Sequence, residues 1–342
     1  MSGSSIPAPW STSRRATRRL LACYAMTAGL WVAACSNPAP TGTTTTGNTP
    51  PTPSPTTDAW TLGGGTASLN MQSAWSRGTV TYAGGATGVY RSDDAGASFR
   101  PSNTGNDPVG PTRGFADDAT YLYTATSQGV FRSSDAGATW TARSSGMTEL
   151  RTSGMVKAGT RLYVVGPSGV FRSDNQGDSW APAGLVGVDV RCIAALGDVV
   201  YVGTLGSGVM KSPDGGATWV ASNVGLSATT FRAIEAKGTT LFLGGEIGTS
   251  VFRSTNGGTS WTPLAGGLPP SSYRGFASNA LFIVAGAFGG GVFYSKDNGD
   301  SWAELNTGLA DKTVFDLVIS NGFLVAATNT GGIYRIPVTA LK

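Results

Sequence analysis

Gly129-Val130-Phe131-Arg132-Ser133-Ser134-Asp135-Ala136-Gly137-Ala138-Thr139-Trp140 is the stretch that decides how this chain is read, because it recurs. Copies begin at Gly88, Gly169, Gly208, Ser250 and Gly291, and a truncated one, Gly332-Ile333-Tyr334-Arg335, stops halfway. Successive starts lie 41, 40, 39, 42, 41 and 41 residues apart. A fixed period of roughly 20–50 residues means one small structural unit used repeatedly.

Two further stretches precede each copy, exemplified by Phe231-Arg232-Ala233-Ile234 and Thr240-Leu241-Phe242-Leu243. They are β-branched, aromatic and bounded by glycine, which is strand composition. Four short antiparallel strands per unit make a propeller blade. We label them A to D outward from the axis, the repeated segment covering strand C, its turn and the start of D. The seventh unit has A near 314–319, B near 323–328 and C near 332–336, and then the chain ends without a D strand. Asp58-Ala59-Trp60-Thr61-Leu62-Gly63-Gly64 resembles Asp300-Ser301-Trp302-Ala303-Glu304-Leu305 and is expected to supply it. The predicted fold is therefore all-β, a seven-bladed propeller of four-stranded antiparallel blades over residues 58–339, closed by its N-terminal strand.

Composition agrees and removes several chemistries. Glycine contributes 50 of 342 residues, charged residues only 13 %, and there is no histidine. Catalysis by Ser-His-Asp or Cys-His and zinc ligation through imidazole are excluded; no cofactor and no metal site are expected. Lys and Arg number 24 against 20 acids, but four of the 24 are Arg14, Arg15, Arg18 and Arg19; beyond residue 35 the count is even. A nucleic-acid partner thereby loses its electrostatic basis.

Those arginines open an N-terminal segment of their own. An apolar run from Leu20 to Ala34 follows them and ends Val32-Ala33-Ala34-Cys35. It is too short to span a bilayer and reads as a signal peptide, residues 1–34. Its ending resembles the bacterial lipobox, which implies an acylated Cys35 as the mature N-terminus. Residues 35–57 are then an extended Pro/Thr-rich tether. Only Cys192 would remain as a free thiol. These features imply an exported, monomeric cell-envelope lipoprotein, in a two-membrane bacterium one of the outer membrane.

The repeated turn resembles the Asp-box, or BNR repeat, Ser-x-Asp-x-Gly-x-Thr-Trp. Its acid or amide positions are Asp94, Asp135, Asn175, Asp214, Asn256 and Asp297, each with a glycine two residues on and an aromatic at the end: Phe99, Trp140, Trp180, Trp219, Trp261 and Trp302. The resemblance implies a structural hairpin at each. Sialidases, which share the repeat, carry an Arg-Ile-Pro motif ahead of the first box; here Tyr334-Arg335-Ile336-Pro337 follows all six. In size, anchor and arginine content the chain is similar to the photosystem II stability/assembly factor family, a single seven-bladed propeller. That likeness implies a docking or assembly platform rather than an enzyme.

Propellers usually bind at the axis. Arginine occupies nearly the same place in five successive A strands, Arg113, Arg151, Arg191, Arg232 and Arg274, while blade seven offers Asp316 and blade one Met71 or Gln72. Such a cluster would hold carboxylates of an envelope protein or glycan partner, unless Glu149, Asp189 and Asp117 neutralise it locally. Strand C has its own series, Arg91, Arg132, Arg172, Lys211, Arg253 and Arg335, expected to be framework. Two alternatives remain open: a sialidase-like glycoside hydrolase, which needs acids converging beside the arginines, and a carbohydrate binder using exposed Tyr273 or Trp75.

Overall fold

The computed structural model describes residues 58–102, 104–105 and 110–342; the expected signal peptide, Cys35 and tether lie outside the described residues. Seven sheets are present among them. Blade one comprises Met71–Arg77, Val80–Gly85, Gly88–Ser92 and Arg100–Pro101, and every later blade repeats that inner-to-outer order. The B strands are buried along their length apart from the first residue in four of them, and fully in Thr240–Gly245, because both faces of each radial sheet pack against a neighbouring blade.

Closure occurs as the repeats require. In blade seven the strands Val314–Ser320, Phe323–Thr328 and Ile333–Pro337 are joined by Thr61–Leu62, with Thr61 opposite Arg335 and Leu62 opposite Tyr334. Trp60 is buried at the blade six–seven boundary with Val284, Leu305, Leu324 and Ile336. Across the next boundary, Met71 and Phe99 of blade one pack with Val325 and Ile333 of blade seven. A buried apolar cluster of this kind fills each of the seven blade boundaries.

Three polar devices repeat at the blade boundaries. The indole Nε1 of Trp60, Trp140, Trp180, Trp219 and Trp261 donates to a carbonyl of the preceding blade, at 2.6–2.8 Å. Trp302 departs from this and donates to Gly299 O at 3.0 Å. The strand-C cations reach forward instead: Arg91 to Ala136 O, Arg132 to Gln176 O, Arg172 to Gly215 O, Lys211 to Gly257 O and Arg253 to Asn298 O. Arg335 completes the circuit at Asp94 O of blade one, 3.1 Å away.

The third device is the crossing from one D strand to the next A strand, which runs along the outer edge of the following blade. It makes single bonds such as Trp180 N to Ser145 O and Trp261 N to Val224 O. Leading into blade two it is regular enough to form a fifth, parallel strand, Thr104–Gly105, which the repeat pattern does not anticipate. The crossing passes so close that Gly225, at φ +86°, has no room for a Cβ against the Trp261 carbonyl. Part of the glycine excess is thereby explained.

Candidate functional site

The seven A strands surround an axial cavity of about 630 Å³, within the usual size of a small-ligand site. In six of the blades the A strand slips register by one residue near its start. The residues skipped are Gln72, Arg113, Arg191, Arg232, Arg274 and Phe315. Such a bulge re-aims a side chain out of the ladder, and all six line the cavity. Blade three has Ser153 in the matching position, ahead of its strand Gly154–Ala158.

This register corrects two expectations. Arg151 is not part of the axial cluster: it precedes the bulge position by two residues, its side chain is 68 % exposed and it pairs with Glu149 at 3.1 Å. Nor does Asp316 stand in the arginine position of blade seven; Phe315 does, and Asp316 lies one residue deeper. A sequence signal for the register exists in hindsight. The residue after the bulge is Ser73, Gly114, Gly154, Cys192, Ala233 or Gly275, small in six blades because the inner strands crowd there. A Cβ on Gly275 would run into the Asp316 backbone.

The four axial arginines are unequally compensated. Arg191 pairs with Asp189, and Arg232 with Glu246. Arg113 and Arg274 make no ion pair among the described residues. Burial, with the like charges of Arg191 and Arg232, lowers the pKa of Arg113; burial does the same for Arg274. The Arg274 guanidinium lies over Phe288, 4.0 Å from the ring centroid, and 5.5 Å from that of Phe315. Neither guanidinium has an ion-pair partner among the described residues, although the charge of Glu246 acts on Arg274 and no acid acts on Arg113, an arrangement suited to carboxylates.

Two carboxyls lie further along the same cavity. Asp316 accepts from the backbone N–H of Ala74 at 3.0 Å and of Leu317 at 2.9 Å. Burial nonetheless pushes its pKa up to about 7, and the charge of Glu235 adds to the rise. Glu235 accepts from the Ser278 hydroxyl at 2.8 Å, and burial lifts it to about 7 as well. The remaining acids are occupied elsewhere: Asp117 faces Arg77 at 3.4 Å, and Asp118 accepts from Tyr121 N and the Tyr123 hydroxyl.

The six repeated turns lie at the opposite end of the blades. Oδ1 of Asp94, Asp135, Asn175, Asp214, Asn256 and Asp297 accepts from the backbone N–H four residues on, at 2.8–3.0 Å. The preceding serine hydroxyl accepts from the turn glycine in each. Bonds from Thr218 pull Asp214 down to about 2. Arg335, in the segment resembling the sialidase motif, serves the blade seven–one boundary. Tyr273 is fully buried, its hydroxyl donating to Pro269 O at 2.6 Å, so it cannot stack on a sugar. Trp75 lines the cavity beside Phe115, with ring centroids 6.3 Å apart.

Sequence reasoning missed one surface. Each blade is entered from the same side, so the D–A crossings and B–C hairpins share the face on which the axial arginines open. Leu150, Val186, Leu205, Val224, Ile247 and Phe288 are exposed on these connections, Val186 by 79 % and Ile247 by 71 %. They form an arc over blades three to six. Isolated apolar residues in loops carry no periodic signal, so only the topology gathers them.

Residues 145–336 match the DUF6242 β-propeller domain. The chain belongs to this family. No curated protein matches the sequence of this DUF6242 propeller. Among solved structures it is similar to YCF48 from Cyanidioschyzon merolae, at 12 % identity over 82 % of this chain and 98 % of that one, with a TM-score of 0.65. It is also similar to a GH74 enzyme of Niastella koreensis, at 20 % identity over 80 % of this chain, with a TM-score of 0.62. A third is the extracellular domain of BT4673 from B. thetaiotaomicron, at 14 % identity over 80 % of this chain, with a TM-score of 0.65. The DUF6242 propeller spans 43 % and 39 % of the latter two chains. At these identities the shared property is the fold.

Proposed function

We propose that this propeller is a lipid-anchored envelope protein that docks an acidic, partly apolar segment of a protein partner on its arginine-bearing face. The observation that carries this reading is the placement of Arg113 and Arg274, without ion-pair partners among the described residues, on the face that also exposes the arc from Leu150 to Phe288. Carboxylates of a partner would meet the guanidinium groups and its apolar side chains the arc, the composition of a protein interface. Likeness to YCF48, solved also with a bound D1 peptide, is consistent with docking by this architecture. The anchor rests on Val32-Ala33-Ala34-Cys35 alone. The bonding of the six turns supports treating them as Asp-box hairpins with a structural role.

The test is to isolate the partner by cross-linking in intact cells and titrate it against purified propeller. Arg113→Glu with Arg274→Glu should weaken binding at least tenfold, and Val224→Asp with Ile247→Asp should do so independently. Unchanged affinity in both variants overturns the reading. For the anchor, Cys35→Ser should release the protein from the membrane fraction.

A glycoside hydrolase is the second reading, favoured by the enclosed carboxyls of Glu235 and Asp316. Against a sialidase, none of the described residues lining the cavity is a tyrosine. Loss of glycan hydrolysis in Glu235→Gln would raise this reading over docking.

A further inference from the structure

The axial cavity has two ends of opposite character. Its mouth is lined by four arginines, of which Arg191 and Arg232 are ion-paired; Arg113 and Arg274 are not, Glu246 acting on Arg274 from beside Arg232. Further along stand Asp316, one residue beyond the bulge of its strand, and Glu235, deeper on an inner strand that runs in the same direction. Glu235 follows Arg232 by three residues, about 10 Å along an extended strand. The wall between and below them includes the apolar residues Ile234, Phe276 and Leu317.

We infer that this cavity binds a small zwitterion: a molecule with a carboxylate held by Arg113 and Arg274 and, across a short aliphatic spacer, a primary amine held by Glu235 and Asp316. A plain anion would leave the inner carboxyls without a cation, and a plain amine would have to pass the arginine mouth against its charge. A molecule carrying both groups satisfies each end in the order in which it meets them. The ammonium would be received by two carboxylates, and any proton they carry beforehand leaves to solvent as it docks. The inference shares the arginine mouth with the docking reading but needs no protein partner.

The probes are 6-aminohexanoate, hexanoate and hexylamine, titrated by calorimetry into the intact protein at pH 7. 6-Aminohexanoate should bind at least tenfold more tightly than either single-ended analogue. Its heat should vary with the ionisation enthalpy of the buffer, reporting proton release. Glu235→Gln with Asp316→Asn should reduce its affinity to that of hexanoate measured in the same variant and abolish the buffer dependence. Arg113→Gln with Arg274→Gln should reduce it to that of hexylamine. Equal affinity for 6-aminohexanoate and hexanoate, or no binding by any probe, overturns the inference; the wild-type comparison alone decides this if a variant fails to fold. Docking is separately read out by Val224→Asp with Ile247→Asp, which should leave probe binding intact.

Discussion

At the scale of single residues, glycine does two different jobs that composition cannot separate. Gly225 and Gly238 both have positive φ, +86° and +60°, but an added Cβ would meet the Trp261 carbonyl at the first and nothing within 4 Å at the second. Gly238→Ala should therefore cost only the backbone penalty, about 1 kcal/mol. Gly225→Ala should cost that plus displacement of a blade crossing, about 3 kcal/mol in all. Denaturant midpoints for the two variants check this, and equal losses would contradict the crossing geometry. The small residue after each bulge is the same kind of information. It was visible in the sequence, but its meaning depended on knowing that seven inner strands meet at one axis.

Among the elements, the short strand Thr61–Leu62 has the largest effect for its length. It is two residues long and exposed, yet the segment around it fills the outer edge of blade seven, buries Trp60 and bonds Trp60 N to Thr307 O at 2.8 Å. Removing residues 58–64 should expose the edge of Ile333–Pro337 and open the boundary between blades six and seven. The expected result is a lower Tm, by roughly 10 °C or more, with faster proteolysis at both chain ends; an unaltered melting curve would refute closure by this strand. Blade count, strand order and this closure were all legible, because a repeat that lacks one strand at its end and carries a spare at its start has one economical solution. The bulges were not, since a slip of one residue depends on how the inner strands fit against each other.

For the whole molecule, the cavity carboxyls tie stability to pH. Asp316 and Glu235 are raised to about 7 in the folded protein from ordinary values of 3.8 and 4.5. Between about pH 4 and 7 the folded state therefore holds protons that the unfolded chain has lost. Their effect on stability is thus most favourable below pH 4 and is lost as pH rises through 7. The Tm should fall by roughly 5 °C or more between pH 5 and pH 8. Asp316→Asn with Glu235→Gln should flatten that slope, and a wild-type slope retained by the double variant would show that other groups cause it. The sequence by itself determined the all-β class, the seven blades, the six repeated turns and the segment that closes the ring, because those properties follow from the repeat along the chain. Tertiary structure alone decided which arginines share the axis, that Arg151 is not one of them, that Asp316 and Glu235 share a cavity, and that six loop residues make one apolar arc. Those properties depend on distances between residues tens or hundreds of positions apart, which no local pattern encodes.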